Sequence, residues 1–246
     1  MNITGATALV TGANRGLGRR FTQALLDRGA AKVYAATRNP DAIDLPGVVA
    51  VRLDITDPAQ VEAAAALASD VNLLVNNAGS STQARLLDGD LADIRLEMDT
   101  HYFGTLSVTR AFAPVLAANG GGAVLNVLSV LSWTTYLGAD AYSAAKAAEL
   151  SLTNALRLAL AEQKTQVTAL HVGYMDTDMA AHVDAPKSDP LVVANLALDG
   201  VAAGVPEVLA DDHSRNVRAG LAGPLSNLFP SLPESHPHAS SIRATR

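Results

Sequence analysis

Short apolar runs alternate along the chain with longer stretches of helical periodicity. This alternation is typical of a parallel sheet whose crossover helices cover both faces. The runs that predict strands are residues 6–11, 32–37, 48–53, 73–76, 123–128, 166–172 and 207–209. The stretches that predict helices are residues 16–28, 58–68, 91–116, 141–160 and 191–203. The pattern therefore predicts an α/β fold with a doubly wound parallel sheet of about seven strands and helices on both faces.

Two regions depart from this alternation. Between the second and third strands lie Pro40, Pro46 and Gly47, so we expect at most a helical turn there instead of a full crossover helix. From Gly223 onward, prolines, serines and two histidines replace the apolar periodicity. We predict one domain over residues 1–222 and a loosely ordered tail over residues 223–246, with a partner-contacting arm as the alternative for the tail.

The composition narrows the function classes. A chain of 246 residues with 49% hydrophobic content is long enough for one well-packed globular domain. Apolar runs stay well below the roughly 20 residues of a membrane helix, and the first residues do not resemble a signal peptide, so we expect a cytoplasmic protein without a membrane partner. The absence of cysteine excludes a disulfide scaffold, a thiolate zinc site and a cysteine nucleophile. The histidines show no H-x-x-x-H spacing, so no metal site is predicted, and a formal net charge of −6 argues against nucleic acid as a partner.

A glycine-rich segment, residues 11–18, joins the first predicted strand to the first predicted helix. Glycines there permit a tight turn, while the free N–H groups at the helix start can bind a pyrophosphate. The alternative is an ordinary strand-to-helix turn whose glycines adopt positive φ angles. The position between a strand and a helix favours a Rossmann fold that binds a dinucleotide. The candidate cofactor-binding residues of this turn are Gly12, Asn14, Arg15, Gly16, Leu17 and Gly18.

Three ordered motifs resemble those of the short-chain dehydrogenase/reductase family. They are Thr11-Gly-x-x-x-Gly16-x-Gly18, Asn76-Asn77-Ala78-Gly79 and Tyr142-x-x-x-Lys146, and the resemblance extends from Ala6 to about Met179. It implies a Rossmann-fold oxidoreductase that uses NAD or NADP to interconvert carbonyls and alcohols.

Basic residues favour NADP(H) as the cofactor, with NAD(H) as the alternative. In such folds the adenosine ribose lies beyond the second strand, where an acidic residue suits NAD and an arginine suits a 2′-phosphate. Here the second strand is followed by Arg38, whose guanidinium can bind a phosphate through two hydrogen bonds. Arg15 resembles the basic residue found in the glycine turn of NADP-preferring relatives. The alternatives are that Arg38 stacks on the adenine and that Arg15 is solvated.

The resemblance implies further cofactor contacts at the ends of later strands. Asp54 and Ile55, after the third strand, match the pair that contacts the adenine in the family. A solvated aspartate at a turn is nearly as good an interpretation of Asp54. The segment after the fourth strand is expected near the ribose, with Asn76 in a structural role. The segment after the sixth strand is expected near the nicotinamide amide and phosphates. The positions concerned are Asp54, Ile55, Asn77, Ala78, Gly79, Met175 and Thr177.

Tyr142 and Lys146 lie four residues apart on a predicted helix and therefore project from one face. Reduction of a ketone needs an acid that protonates the oxygen. A tyrosine normally titrates near pH 10, and a neighbouring lysine ammonium is expected to lower the pKa of its phenol. The resemblance implies that Lys146 also binds the nicotinamide ribose, and that Ser129, before the tyrosine, polarises the carbonyl. Ser132 is the less favoured candidate for that serine.

His101 departs from the family pattern. The family commonly has an asparagine three residues before a glycine in the fourth helix, where it holds a water that relays protons from the lysine, and His101 occupies this position ahead of Gly104. Imidazole can donate and accept hydrogen bonds and titrates near pH 6.5, so we hypothesise that His101 takes part in the relay. A histidine satisfied by backbone carbonyls in the helix layer is an equally good interpretation.

The substrate pocket is expected beyond the C-terminal strand ends, at the topological switch point, next to Ser129 and Tyr142. Apolar and aromatic residues in the adjoining loops predict a hydrophobic ketone or secondary alcohol as substrate, although each of them could belong to the core instead. These residues are Leu131, Trp133, Tyr136, Tyr174, Met175, Met179 and Val183.

The two longest predicted helices are apolar on more than one face, so we expect a homodimer or homotetramer. The alternatives to an NADP-dependent carbonyl reductase or alcohol dehydrogenase are a non-catalytic nicotinamide-binding regulator and an NAD-dependent alcohol dehydrogenase. The presence of Ser129, Tyr142 and Lys146 together favours an enzyme, and Arg38 argues against NAD.

Overall fold

A parallel sheet of seven strands forms the centre of the computed structural model, which describes residues 1–229. The strands are β1 (Thr7–Thr11), β2 (Lys32–Thr37), β3 (Val49–Arg52), β4 (Leu73–Asn76), β5 (Gly122–Val127), β6 (Thr165–His171) and β7 (Glu207–Leu209). Their spatial order is β3-β2-β1-β4-β5-β6-β7, and every neighbouring pair is parallel. The order reverses between β1 and β4, so the predicted doubly wound sheet is confirmed.

Local sequence explains where several helices begin and end. Asp57 accepts hydrogen bonds from the N–H groups of Ala59 and Gln60 at the start of α2 (Pro58–Leu67), and Asp189 accepts one from the Leu191 N–H at the start of α6 (Pro190–Ala203). Each aspartate is followed by a proline at the first helical position. Helix α6 ends at Gly204, whose φ of 70° is left-handed. The helices are α1 (Gly16–Asp27), α2 (Pro58–Leu67), α3 (Leu91–Met98), α4 (Thr105–Ala118), α5 (Asp140–Ala159), α6 (Pro190–Ala203) and α7 (Asp212–Gly220).

Helices cover both faces of the sheet because successive strand residues point to opposite sides. In β1, Ala8 and Val10 belong to a core shared with α1 and α6, whereas Leu9 belongs to a second core shared with α2, α4 and α5. Phe21 of α1 and Phe112 of α4 are fully buried, one in each core. The two cores hold the sheet in place and leave the C-terminal strand ends open for a site.

The observed elements match the predicted ones to within two residues at their ends, with two differences. A π-helical segment, Asp99–Gly104, interrupts the predicted helix 91–116, because apolar periodicity does not reveal one locally widened turn. Helix α7 was not predicted, since its sequence is polar and its start is marked mainly by Asp211, whose side chain caps the helix by accepting a hydrogen bond from the Ser214 N–H. The link between β2 and β3 contains a 3₁₀ turn, Pro40–Ala42, as expected.

Part of the predicted tail is described. Residues 223–229 include a 3₁₀ turn, Leu225–Asn227, and the Leu228 carbonyl accepts a hydrogen bond from Thr134 Oγ1 at 3.4 Å. Residues 230–246 lie outside the described residues, and the domain boundary at residue 222 stays a prediction. No helix within residues 1–229 is long and apolar enough to cross a membrane. Over the same range, histidines and carboxylates do not gather in groups that could hold a metal ion.

Candidate active site

A cleft opens at the C-terminal ends of the strands, where the strand order reverses between β1 and β4. Its volume of about 430 Å³ is in the range of small-molecule sites. Every residue predicted for the cofactor, the substrate or catalysis lines this cleft, except Trp133 and Val183. The parallel sheet brings these residues to one edge although they are distant along the chain.

The glycine turn leaves no room for a side chain at Gly12 or Gly18. Gly12 has a φ of 67°, and a Cβ on it would lie 2.9 Å from Ala78 Cα. A Cβ on Gly18 would lie 2.2 Å from the carbonyl oxygen of Gly12. No side chain caps the first N–H groups of α1 after Arg15, and its first turn contains no acidic residue. These free donors and the positive end of the helix dipole fit the pyrophosphate of a dinucleotide.

Asn77 fixes the glycine turn to the end of β4. Its Nδ2 donates to the Thr11 carbonyl at 2.9 Å, while its backbone N–H and that of Ala78 donate to Thr11 Oγ1 at 2.9 and 3.0 Å. Asn76 is buried and donates to side chains on α4 and β5, which agrees with its predicted structural role. The Asn77 side chain is thus also a structural tie, and Ala78 and Gly79 line the cleft beside it.

Two arginines line the cleft near the glycine turn. Arg38 follows β2 and is exposed. The Arg15 guanidinium lies 3.4 Å from the Asp178 carboxylate, and both side chains are mostly exposed. The Asp54 carboxylate accepts from the backbone N–H and hydroxyl of Thr56 at 3.0 and 2.7 Å, so it is engaged in the turn after β3. The arrangement leaves two cationic groups available to an anionic ligand.

Ser129, Tyr142 and Lys146 meet in the wall of the cleft. Ser129 Oγ accepts from the Leu131 N–H at 3.1 Å, which leaves its hydroxyl proton free to donate. Tyr142 and Lys146 lie one turn apart on α5, with Lys146 Nζ 5.7 Å from the centre of the Tyr142 ring. Ser132 Oγ instead donates to the Ser129 carbonyl at 2.6 Å and does not line the cleft. Ser129 is therefore the serine that can contact a bound carbonyl.

His101 lies in the π-helical segment between two buried carboxylates that the sequence analysis missed. Its Nε2 donates to the Ser80 carbonyl at 2.9 Å and lies 3.3 Å from Glu97 Oε2. Its Nδ1 is 3.9 Å from Glu149 Oε2 and has no hydrogen-bond partner within residues 1–229. The imidazole also contacts the Tyr142 ring edge-on, with 5.1 Å between ring centres. Backbone carbonyls thus satisfy only one of its two nitrogens.

Glu149 connects the surroundings of His101 to Lys146. Glu149 Oε2 accepts from Lys146 Nζ at 2.8 Å, and Oε1 accepts from the Thr105 hydroxyl at 3.1 Å. Lys146 Nζ makes a second hydrogen bond, to the Val127 carbonyl at 2.8 Å. Glu97 lies four residues before His101, and Glu149 lies three residues after Lys146. Helical spacing was therefore the signal that could have found both carboxylates.

The surroundings of Tyr142 as a whole raise the pKa of its phenol, although Lys146 by itself lowers it, as expected. Burial has the largest effect, and Glu149 and Glu97 act in the same direction, so Lys146 and Ser129 do not outweigh them. Burial lowers the pKa of Lys146, but the Glu149 carboxylate reverses this and the net direction is upward. Burial also opposes ionisation of Glu97, yet hydrogen bonds from His101 and a backbone N–H bring its pKa to about 2.

Apolar and aromatic side chains form the outer wall of the cleft. The hydroxyls of Tyr136 and Tyr174 hydrogen-bond each other across it. The Met175 backbone forms a bridge with Ser188, which holds the loop after β6 in place. The predicted residues that line this side are Leu131, Tyr136, Tyr174, Met175, Thr177 and Met179.

Trp133 does not line the cleft, which corrects the prediction. It follows the 3₁₀ turn Val130–Ser132, and its indole stacks on His171 with 3.7 Å between ring centres. The Arg218 guanidinium lies 5.9 Å from the same indole. Val183 also lies outside the lining. Trp133 thus packs against His171 of β6 and Arg218 of α7, which are remote from it in sequence.

A doubly wound parallel sheet, a glycine turn at its switch point and a Ser-Tyr-Lys group in the same cleft define an oxidoreductase of the dinucleotide-binding α/β class. The family model described as short chain dehydrogenase matches residues 6–188. The chain belongs to this family.

Individual relatives agree with this assignment. The chain is 32% identical over 201 residues to NADPH carbonyl reductase 2 of Sus scrofa, covering 80% of this chain and 81% of the relative. It is 29% identical over 191 residues to the 3-oxoacyl-acyl-carrier-protein reductase FabG of Vibrio cholerae, covering 73% and 77%. The crystal structure of a short chain dehydrogenase from Burkholderia cenocepacia J2315, in complex with NADP, matches with a TM-score of 0.91 and 39% identity over 96% of this chain and 100% of that chain.

Proposed function

We propose that this chain is an NADP(H)-dependent carbonyl reductase and alcohol dehydrogenase that acts on hydrophobic ketones and secondary alcohols. One observation carries the proposal: Ser129, Tyr142 and Lys146 share a cleft with the glycine turn. Residues that fit a dinucleotide therefore lie beside a proton donor and a cation. The NADPH named for the Sus scrofa relative and the NADP bound in the Burkholderia structure support the choice of cofactor.

The chemistry follows from the groups in the cleft wall. When bound, NADPH supplies the hydride that the carbonyl carbon accepts. Ser129 donates a hydrogen bond to the carbonyl oxygen, and Tyr142 transfers its phenolic proton to that oxygen, which yields the secondary alcohol. Lys146 stabilises the phenolate left on Tyr142 until a proton returns to it. In alcohol oxidation the same groups act in the reverse order.

Tyr142→Phe tests the proposed acid directly. The variant keeps the ring and its contact with His101 but has no proton to donate, so we expect kcat to fall by about 10² to 10⁴. The assay follows loss of NADPH absorbance with a panel of aryl, cyclic and aliphatic ketones. NADPH binding, measured by fluorescence, should remain. Full activity in the variant, or no turnover by the wild type despite NADPH binding, would contradict the proposal and favour a nicotinamide-binding regulator.

Arg38 and Arg15 support NADP(H) over NAD(H). A charge-assisted hydrogen bond contributes about 1.5–3 kcal/mol, so Arg38→Ala should raise KM for NADPH at least about tenfold. KM for NADH should change little, because NADH lacks the 2′-phosphate. Arg20→Ala is the matched control, since Arg20 is exposed on α1 and outside the cleft. Equal losses with both cofactors would contradict the assignment of Arg38.

The apolar wall supports a hydrophobic substrate. Leu131 and Met179 line the cleft together with Tyr136 and Tyr174, whose hydroxyls hydrogen-bond each other. We expect kcat/KM to rise with the apolar area of the ketone, because each Å² buried should lower the free energy of the transition state by about 25 cal/mol. A preference for small polar ketones would refute this substrate class.

His101 is proposed to take part in the return of the proton to Tyr142. Its ring touches Tyr142 and faces both Glu97 and Glu149. We expect His101→Ala to lower kcat and to alter the pH profile. An unchanged kcat and profile would show that the histidine is structural.

The remaining proposals concern assembly and location. Leu91, Phe103 and Leu158 are between 54% and 82% exposed on α3, the π-helical segment and α5, which supports a homodimer or homotetramer through these helices. Sedimentation of the 246-residue chain tests this, and a monomer at micromolar concentration would contradict it. We also propose a single domain over residues 1–222 and a cytoplasmic location.

A further inference from the structure

Glu149 and Lys146 form a buried ion pair for which the proposed reaction gives no direct role. Lys146 is 4% exposed and Glu149 is 2% exposed, and the distance from Nζ to Oε2 is 2.8 Å. The Thr105 hydroxyl holds the other carboxylate oxygen, so the pair has one fixed geometry. A carboxylate at this distance offsets much of the electrostatic effect of the ammonium on its other neighbours.

The neighbour that matters most is Tyr142. An ammonium beside a phenol favours the phenolate, and a carboxylate beside it favours the phenol. Burial raises the pKa of Tyr142 most, Lys146 lowers it, and the carboxylates of Glu149 and Glu97 oppose the effect of Lys146. The groups that face it are Lys146 and Glu149 from α5, His101 from the π-helical segment, Glu97 from α3, Ser129 after β5 and Tyr136 at the rim.

We propose that Glu149 is a positioning residue that holds Lys146 and offsets its charge, so that Tyr142 keeps its proton to a higher pH than it would beside an unpaired ammonium and carbonyl reduction extends to higher pH. The inference rests on the proposed function, because it concerns the acid of that reaction. Reduction starts with the proton on Tyr142, which moves to the carbonyl oxygen. Oxidation starts with the phenolate, which accepts the proton of the alcohol. A carboxylate beside Lys146 therefore extends the first direction to higher pH.

Other features of the structure support this arrangement. Burial and both carboxylates raise the pKa of Tyr142. Glu149 also raises the pKa of Lys146, so the lysine remains an ammonium whose charge is shared between the carboxylate and the phenol. His101 Nδ1 faces Glu149 at 3.9 Å without a hydrogen bond within the described part of the chain, so the imidazole does not neutralise the carboxylate through a direct bond.

The test compares the wild type with Glu149→Gln, which keeps the shape of the side chain and removes its charge. The first readout is the ultraviolet absorbance of the phenolate during a pH titration of the 246-residue chain, with the same titration of Tyr142→Phe subtracted. The midpoint in Glu149→Gln should fall by roughly one pH unit. The second readout is the pH–rate profile in both directions. In Glu149→Gln, alcohol oxidation should reach its maximum at a lower pH than in the wild type. As pH rises, ketone reduction should begin to decline at a lower pH than in the wild type.

Two further variants serve as controls. Glu149→Asp keeps the charge and should retain a midpoint close to that of the wild type. Glu62→Gln removes an exposed carboxylate on α2, far from the cleft lining, and should change neither readout. If Glu149→Gln does not fold, Glu97→Gln tests the same electrostatic argument, with a smaller shift in the same direction expected.

An unchanged midpoint, or a midpoint at higher pH, in the folded Glu149→Gln variant would overturn the inference, as would the same result in Glu97→Gln where Glu149→Gln does not fold. The titration needs neither cofactor nor substrate, so it also separates the two proposals. Ketone turnover with an unshifted titration would refute the role of Glu149 alone. A shifted titration without ketone turnover would refute the proposed reaction and leave the charge arrangement standing.

Discussion

His171 makes the stability of this fold sensitive to acid. Its ring is fully buried against Trp133, Nδ1 donates to the Ser129 carbonyl at 3.2 Å, and Nε2 has no hydrogen-bond partner within residues 1–229. Burial lowers the pKa of His171 from 6.5 to about 4. The unfolded chain therefore binds this proton at a higher pH than the folded chain, so stability falls as pH decreases from 6.5 toward 4. At about 1.36 kcal/mol per pH unit the full loss is about 3 kcal/mol, of which about 2 kcal/mol falls between pH 7 and pH 5.

Urea denaturation at pH 7 and pH 5, followed by circular dichroism at one protein concentration, measures this loss. His171→Asn keeps an amide N–H that can donate to the Ser129 carbonyl, but it has no proton to gain over this range. The wild type should lose about 2 kcal/mol more than His171→Asn between the two pH values. His213→Asn changes an exposed histidine on α7 and should behave like the wild type. The same loss in His171→Asn and in the wild type would refute the reasoning.

Two further predictions concern the scaffold of the cleft and use the same denaturation assay. Gly18→Ala should cost about 1–3 kcal/mol and weaken NADPH binding, because its Cβ would lie 2.2 Å from the Gly12 carbonyl oxygen. Gly220→Ala, where the nearest atoms lie at 3.6 Å, should be neutral or stabilise α7 by up to about 1 kcal/mol, and equal effects of the two changes would contradict the clash. Asp211→Ala should cost about 1–2 kcal/mol, since its carboxylate caps α7 and accepts from the Gly173 N–H at 2.7 Å. If the free energy of unfolding of Asp211→Ala lies within a few tenths of a kcal/mol of the wild-type value, water replaces both hydrogen bonds of Asp211 and the prediction is wrong.

Features with short-range signals were predictable. Apolar runs bounded by glycine, proline or aspartate located all seven strands, and Asp57 followed by Pro58 marked the start of α2. The glycine turn and Tyr142-x-x-x-Lys146 were recognisable because each depends on spacing within one segment. Helix α7 was not predicted because its face toward the fold is narrow and its sequence is polar. The π-helical segment was not predicted because one widened turn changes the apolar periodicity very little.

The sequence by itself determined the order of strands and helices and the position of the glycine turn, because these follow from local periodicity and local spacing, and its resemblance to the family indicated Ser129, Tyr142 and Lys146. Only the tertiary structure decided that Trp133 stacks on His171 outside the cleft, and that Glu97 and Glu149 lie beside His101 and Lys146. The physical reason is that packing and electrostatic effects depend on distance through space. Parallel crossover connections bring α3, the π-helical segment and α5 to the same strand ends, where burial raises the pKa of Tyr142 and the carboxylates of Glu149 and Glu97 oppose the effect of Lys146.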